Sequence, residues 1–365
     1  MKKIRLLPAV TFFGALLAGS ITLFASPKET RSETERRLLA EAPELTSENV
    51  LSGRCFERLD LWTADHFPKR ELFRQARAAF QIDILREHEY NGFVRHEGSI
   101  IRLQKQANEA SFAYAGERFE RVRKKYLERS ECSVYRALVP DKSSFLRDAG
   151  YPVADGARME KLYGGILPFA TAVPIRESLE LTDYYRTDSH WRQERLINTA
   201  EILLQTMGRD TSVLRATEFD KVPVEHFLGV YAGQSAMNPE PETLYYLTGG
   251  YLDDCRLFDY ETMSVIPMYD PEGCDARDLY TLFVGGSKSL LRIDNPNAPE
   301  GELIIFRDSF GAAIAPLLAS AYRSVYLADI RYIHPDALGR FLKFADRDVL
   351  FLYSETLMNN SQGLR

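Results

Sequence analysis

The order of elements at two places predicts an α/β fold. Phe112, Ala115, Phe119, Val122 and Tyr126 recur at helical spacing, and the β-rich run 133–140, SVYRALVP, follows directly. Near the C-terminus the buried-strand pattern ELIIFR (Glu302–Arg307) leads into an Ala/Leu-rich helical stretch, 310–322. Two more apolar strands follow, SVYLAD at 324–329 and DVLFLYS at Asp348–Ser354.

Taken in order, the chain of 365 residues opens with Lys2, Lys3 and Arg5 before a nearly uncharged run from Leu6 to Ala25. About 20 apolar residues suffice to cross a hydrocarbon core of roughly 30 Å as a helix. The basic flank predicts a cytoplasmic N-terminus and an exported body. The reading is a membrane anchor over residues 1–27, with the body held outside the cytoplasm. The alternative is a signal peptide, cleaved to release a secreted protein; the run is long for one, and the 24–26 site is not a clean small-x-small pair. Residues 28–67 read as a linker and N-terminal region, with alternating charges in KETRSETERR.

From Pro68 the pattern turns helical, with Phe73, Ala76, Phe80 and Ile84 on one face. The α/β domain is expected over 68–365. PDKSSF, 140–145, would lie at the C-terminal end of a strand, where open α/β sheets place ligands. After RTDSHW, 186–191, a helix is expected with Leu196, Ala200, Leu203, Leu204 and Met207 on one face and Gly208 as its stop. Ser189 would cap it and set His190 in or beside the first turn. Residues from about 215 to 285 change character, with β-like runs such as ETLYYLT and MSVIPMYD, and read as a β-rich insertion.

The formal net charge of −6 gives no electrostatic case for a nucleic-acid partner. No Cys-x-x-Cys pair and no histidine pair at ligand spacing is present, so neither a metal nor another cofactor is called for. In an exported chain Cys255 and Cys274, flanking a segment rich in Asp, Tyr and Pro, are the more plausible disulfide pair; four separate thiols are the alternative.

The chemistry rests on two short segments. Ser309 falls between a hydrophobic strand and an apolar helix, in FRDSFG, so it would project from the sheet edge at a helix N-terminus. That suits a nucleophile whose oxyanion finds N–H donors in place. Read without chemistry, Asp308 or Ser309 simply caps the helix. Asp188 and His190 are two apart; the carboxylate could orient the ring and the ring could take the serine proton. Gly286, in FVGGSK, is a candidate second oxyanion donor or a tight turn. Lys142 could touch a polar substrate or stay solvated. Tyr185 and Trp191, like Tyr184, could stack on sugar rings or sit in the core.

YYRTDSHW is similar to the signature of the DHHW proteins, exported bacterial proteins related to the SGNH-hydrolase-like domains of alginate O-acetylation proteins. SETERRLLAEAPELT, TADHFPKRELF, PDKSS, FLGVYAG, FVGGS and RDSFG follow in the family's order, so the resemblance covers roughly 32–355. One departure is plain: Ser189 stands where the family has its first His. The resemblance implies a flavodoxin-like three-layer α/β/α sandwich of SGNH-hydrolase type, circularly permuted, with a Ser309–His190–Asp188 triad. It implies O-acetyl transfer to a cell-surface or exported polysaccharide, with acetyl delivered by a separate multi-pass membrane acyltransferase. An acetyl esterase using the same triad, or a non-catalytic glycan-binding or assembly scaffold, are the rival readings.

Overall fold

The computed structural model describes residues 2–275 and 277–365. Two compact units divide the chain: Met1–Asn91 with Val230–Pro239, and Gly92–Gly229 with Glu240–Arg365.

The larger unit is built on an eight-stranded sheet. Its strands, numbered in chain order, are β1 (Ser133–Val139), β2 (Thr171–Ala172), β3 (Arg256–Asp259), β4 (Ser264–Ile266), β5 (Leu290–Asp294), β6 (Glu302–Arg307), β7 (Ser324–Ala328) and β8 (Asp348–Ser354). They lie in the order β4-β3-β5-β7-β6-β8-β1-β2. From β7 to β2 every pairing is parallel, while β5, β3 and β4 extend the other edge antiparallel.

Side chains alternate between two cores, as a period of two requires. Leu303 and Ile305 of β6, Val325 and Leu327 of β7, and Leu350 and Leu352 of β8 join one core with the helices Ile197–Thr206 and Phe310–Leu318. Ile304, Phe306, Tyr326, Val349 and Phe351 join the other, with the helices Glu109–Val122 and Gly156–Ile166. Both faces are therefore covered, which is why the parallel strands read as unbroken apolar runs. This is the α/β/α sandwich predicted from the sequence.

The expected β-rich insertion divides in two. Asp220–Phe227 and Glu242–Thr248 form a separate antiparallel hairpin, while β3 and β4 extend the central sheet. Cys255 and Cys274 are not joined: among the described residues all four cysteines are free thiols. Each of the two donates instead to a carbonyl of its own loop, Tyr251 and Pro271, both at 3.3 Å. Burial pushes the Cys255 thiol up to about 12.

The smaller unit opens with the helix Lys2–Ala25, of which Pro8–Ala25 is long and apolar enough to cross a membrane. The charged stretch that follows is packed. Glu35 pairs with Arg70 and, at 3.0 Å, with Arg74, and Asp65 pairs with Arg37. Arg74 also donates to the carbonyls of Gly233 and Gln234 at 3.1 and 3.0 Å. Gly233 is required there: a Cβ would sit 1.8 Å from the Thr34 carbonyl oxygen. The expected helix appears as Arg70–Ala79 followed by one π-turn, Phe80–Ile84, and Phe73, Phe80 and Ile84 on its apolar face are exposed.

Candidate active site

Ser309 stands on the turn from β6 into the helix Phe310–Leu318, at the C-terminal edge of the sheet. Asp308 builds that turn. Its Oδ1 accepts the Phe310 N–H at 3.0 Å, and its Oδ2 accepts the N–H and hydroxyl of Ser354 at 2.9 and 2.6 Å. Asp308 therefore does the capping, and Ser309 makes no side-chain cap bond. Gly311 lets the helix start close to the strand, since a Cβ there would meet the Arg307 Cβ at 2.7 Å.

The facing loop is closed by a bridge between Tyr184 and Trp191 and by the Tyr185 N–H to His190 carbonyl bond of 3.0 Å. Inside it Asp188 Oδ1 accepts the His190 N–H at 3.0 Å and lies 2.6 Å from His190 Nδ1. His190 Nε2 lies 2.7 Å from Ser309 Oγ. Three side chains from segments about 120 residues apart thus form one hydrogen-bonded series. An ionised carboxylate only accepts, so Asp188 fixes the proton on Nδ1 and leaves the Nε2 lone pair facing the serine hydroxyl.

His190 was expected in a helical turn capped by Ser189; the structure corrects this. The helix starts at Ile197, and the Ser189 hydroxyl turns back to Asp188 at 3.4 Å. The Asp188 carboxylate, bonded to the N–H two residues on, makes a local turn that competes with helix.

Several buried groups hold this loop. Asp188 is wholly buried and Gly229 lies against it: a Gly229 Cβ would sit 2.2 Å from that of Asp188. Glu242 accepts the N–H groups of Arg186 and Thr187 at 3.0 and 2.8 Å and the Thr187 hydroxyl at 2.7 Å. Lys142 donates to the carbonyls of Ile100, Tyr185 and Asp188 at 2.9, 2.7 and 2.9 Å. Burial pulls its ammonium down to about 8, opposed by the charges of Asp188 and Glu242. The His190 ring stacks on Tyr280 at 3.8 Å and 11°, and Phe310 flanks it at 5.0 Å. His190 itself keeps 14% side-chain exposure, and Ser309 is half-buried, so the pair can be reached from outside.

Four substrate-side expectations change. Lys142 lies beneath the loop and supports it. Tyr185 and Trp191 are fully buried; Trp191 donates to the Phe310 carbonyl at 3.1 Å and ties the loop to the serine's helix. The Gly286 N–H already goes to the Phe283 carbonyl at 3.0 Å, so it is a turn residue. Glu242, Gly229 and Tyr280 were not singled out from sequence. An acid opening the apolar run ETLYYLT was the signal for Glu242, while nothing local marks Tyr280 as the residue that stacks on His190.

The family model of the DHHW protein matches residues 175–328, a span holding all three side chains. Over that span the chain is similar to the DHHW proteins. A DHHW family protein from Eubacterium siraeum superposes with a TM-score of 0.60 and 21% identity, covering 75% of this chain and 95% of its own. PatB1 of Bacillus cereus superposes at 0.54 with 18% identity, covering 73% and 96%. The same protein with a sulfonyl adduct gives 0.55 and 16%, covering 73% and 95%. These likenesses establish the shared fold. No curated protein matches the sequence.

Proposed function

We propose that the chain is a membrane-anchored, extracytoplasmic O-acetyltransferase acting on a polysaccharide. The observation that carries the reading is the series Asp188–His190–Ser309, with 2.6 Å at one ring nitrogen and 2.7 Å at the other. Ser309 Oγ attacks the acetyl carbonyl as its proton passes to His190 Nε2. The tetrahedral oxyanion collapses, and the leaving group departs with that proton. An acceptor hydroxyl then gives its proton to His190 and attacks the acetyl-serine; the ring returns the proton to Ser309 as the C–O bond breaks. Asp188 steadies the imidazolium in both halves. The Ser309 N–H, at a helix N-terminus, is the donor best placed for the oxyanion.

The acetyl group and the polysaccharide acceptor come from the resemblance to the alginate O-acetylation proteins. Acetyl-CoA is cytoplasmic, so an exported enzyme needs its acetyl delivered across the membrane, and a multi-pass acyltransferase is the partner that chemistry requires. The helix Pro8–Ala25 would keep the enzyme beside it. The sulfonyl adduct on PatB1 supports a reactive nucleophile in a protein of this fold.

The test is a transfer assay on the full chain, with a chromogenic acetyl ester as donor and oligosaccharides as acceptors. The reading expects acetylated sugar, lost in Ser309→Ala with the circular dichroism unchanged. Acetate release at the same rate with and without acceptor would instead make it an esterase.

A further inference from the structure

Resting on the anchored reading above, we infer that the helical unit after the membrane helix is itself embedded in the outer leaflet, with bilayer lipid covering its exposed apolar side chains. The first observation is depth. Phe67 lies against Gly19, whose Cβ position is 3.7 Å from the Phe67 ring. Gly19 is six residues before Ala25, the last residue of the helix, which at helical rise puts Phe67 about 9 Å inside that end. If Pro8–Ala25 spans the bilayer, Phe67 lies at lipid depth.

The second observation is what surrounds Phe67. It lines a groove of about 960 Å³ of mixed character: Leu38, Leu61 and Phe73 are apolar, while Arg77 and the paired charges Glu35, Asp65, Arg37, Arg70 and Arg74 also face it. Leu38, Leu61 and Phe73 are 76%, 64% and 57% exposed, although each is large and apolar. Phe73 meets Phe67 edge to face at 5.5 Å, which makes the exposed surface continuous with the membrane helix. Large apolar side chains exposed together mark an interaction or membrane site.

The third is the border. Trp62 packs on Phe24 at 6.0 Å, and Lys28 sits 5.0 Å over the Trp62 ring, just past the end of the helix. An indole beside a lysine at the end of a span is the pattern of a membrane–water boundary. Arg77 is exposed on the groove's rim, where its guanidinium can meet lipid phosphate. Acyl chains therefore cover Leu38, Leu61 and Phe73 and headgroups meet Arg77, as for an interfacial helix.

The experiment reconstitutes the full chain, carrying Trp62→Phe, in phosphatidylcholine–phosphatidylglycerol vesicles with or without brominated acyl chains. Single tryptophans are introduced by Phe73→Trp or Leu72→Trp, with Phe13→Trp in the span and Val265→Trp in the larger unit as references. The buried Trp191 supplies a constant background. The inference expects loss of Phe73→Trp or Leu72→Trp emission comparable to Phe13→Trp, and none at Val265→Trp. Quenching at Phe13→Trp alone overturns it while leaving the anchor intact. Quenching at neither overturns the anchor, and this inference with it.

Discussion

At the scale of single residues, the site depends on groups that never meet the substrate. Gly229 allows Asp188 to lie where it does. Gly229→Ala would push the carboxylate by the better part of an ångström, a misplacement that can cost about 10²-fold in rate. The expected result is a fall in kcat with the fold intact, read by acetyl-ester turnover and near-ultraviolet circular dichroism. Lys142 donates to the buried carbonyls of Tyr185 and Asp188 in the loop and of Ile100 beneath it. Lys142→Met is expected to destabilise the protein by about 3 kcal/mol in urea unfolding. Glu355 gives a pH signature. Buried beside Arg176 and accepting the Asp141 N–H at 2.8 Å, it is pushed by burial from 4.5 up to about 7. The folded state keeps this proton where the unfolded chain has lost it. The contribution therefore favours folding at low pH and is lost as pH rises from about 4.5 to 7. Wild type should lose stability across that window relative to Glu355→Gln, measured as unfolding free energy against pH; parallel curves would refute the assignment.

At the scale of elements, what was legible and what was not follow from the period of each pattern. The strands β6, β7 and β8 could be placed within a residue because both faces are covered, so their interior positions are apolar. The strand β5, LLRID, escaped notice because Arg292 interrupts a run of only five residues. The Ser309 turn could be located but not interpreted: Asp308 and Ser309 are equally good caps on paper. Only the Ser354 contact, from β8, shows that Asp308 takes that task and leaves the serine free. Asp308→Ala should therefore cost about 3 kcal/mol, a lost cap plus stranded buried donors, against a small effect for Ser309→Ala. Denaturant midpoints with unchanged slopes would check both. Ser189 reads as a helix cap, with His190 in or beside the first turn, because a polar residue before an apolar helix signals a cap. That Asp188 bonds its own loop instead is set by burial under Gly229, 41 residues on, which no local pattern carries. The helix Arg70–Ala79 shows the converse: periodicity reveals an apolar face but not what covers it.

At the scale of the whole molecule, the candidate catalytic residues from two distant segments meet at the edge to which parallel strands deliver their C-terminal ends. Asp141, Asp308 and Glu355 all follow such strands, and the Asp188–His190 loop is fastened above them through Lys142. The account also predicts that the N-terminal helix is retained. Protein recovered from the membranes of an exporting host should carry residues 1–27 by intact mass and resist carbonate extraction; a mature form beginning near 26 would place the body free of the bilayer.

The central claim is that Ser309 is a nucleophile worked by His190. It is tested most directly by peptide mass spectrometry of the full chain after brief exposure to an activated acetyl ester. The account predicts one acetyl group on Ser309, slowed by about 10²–10⁴-fold in His190→Ala and absent in Ser309→Ala. A folded protein that takes up no acetyl at Ser309, or takes it up equally without His190, would contradict it.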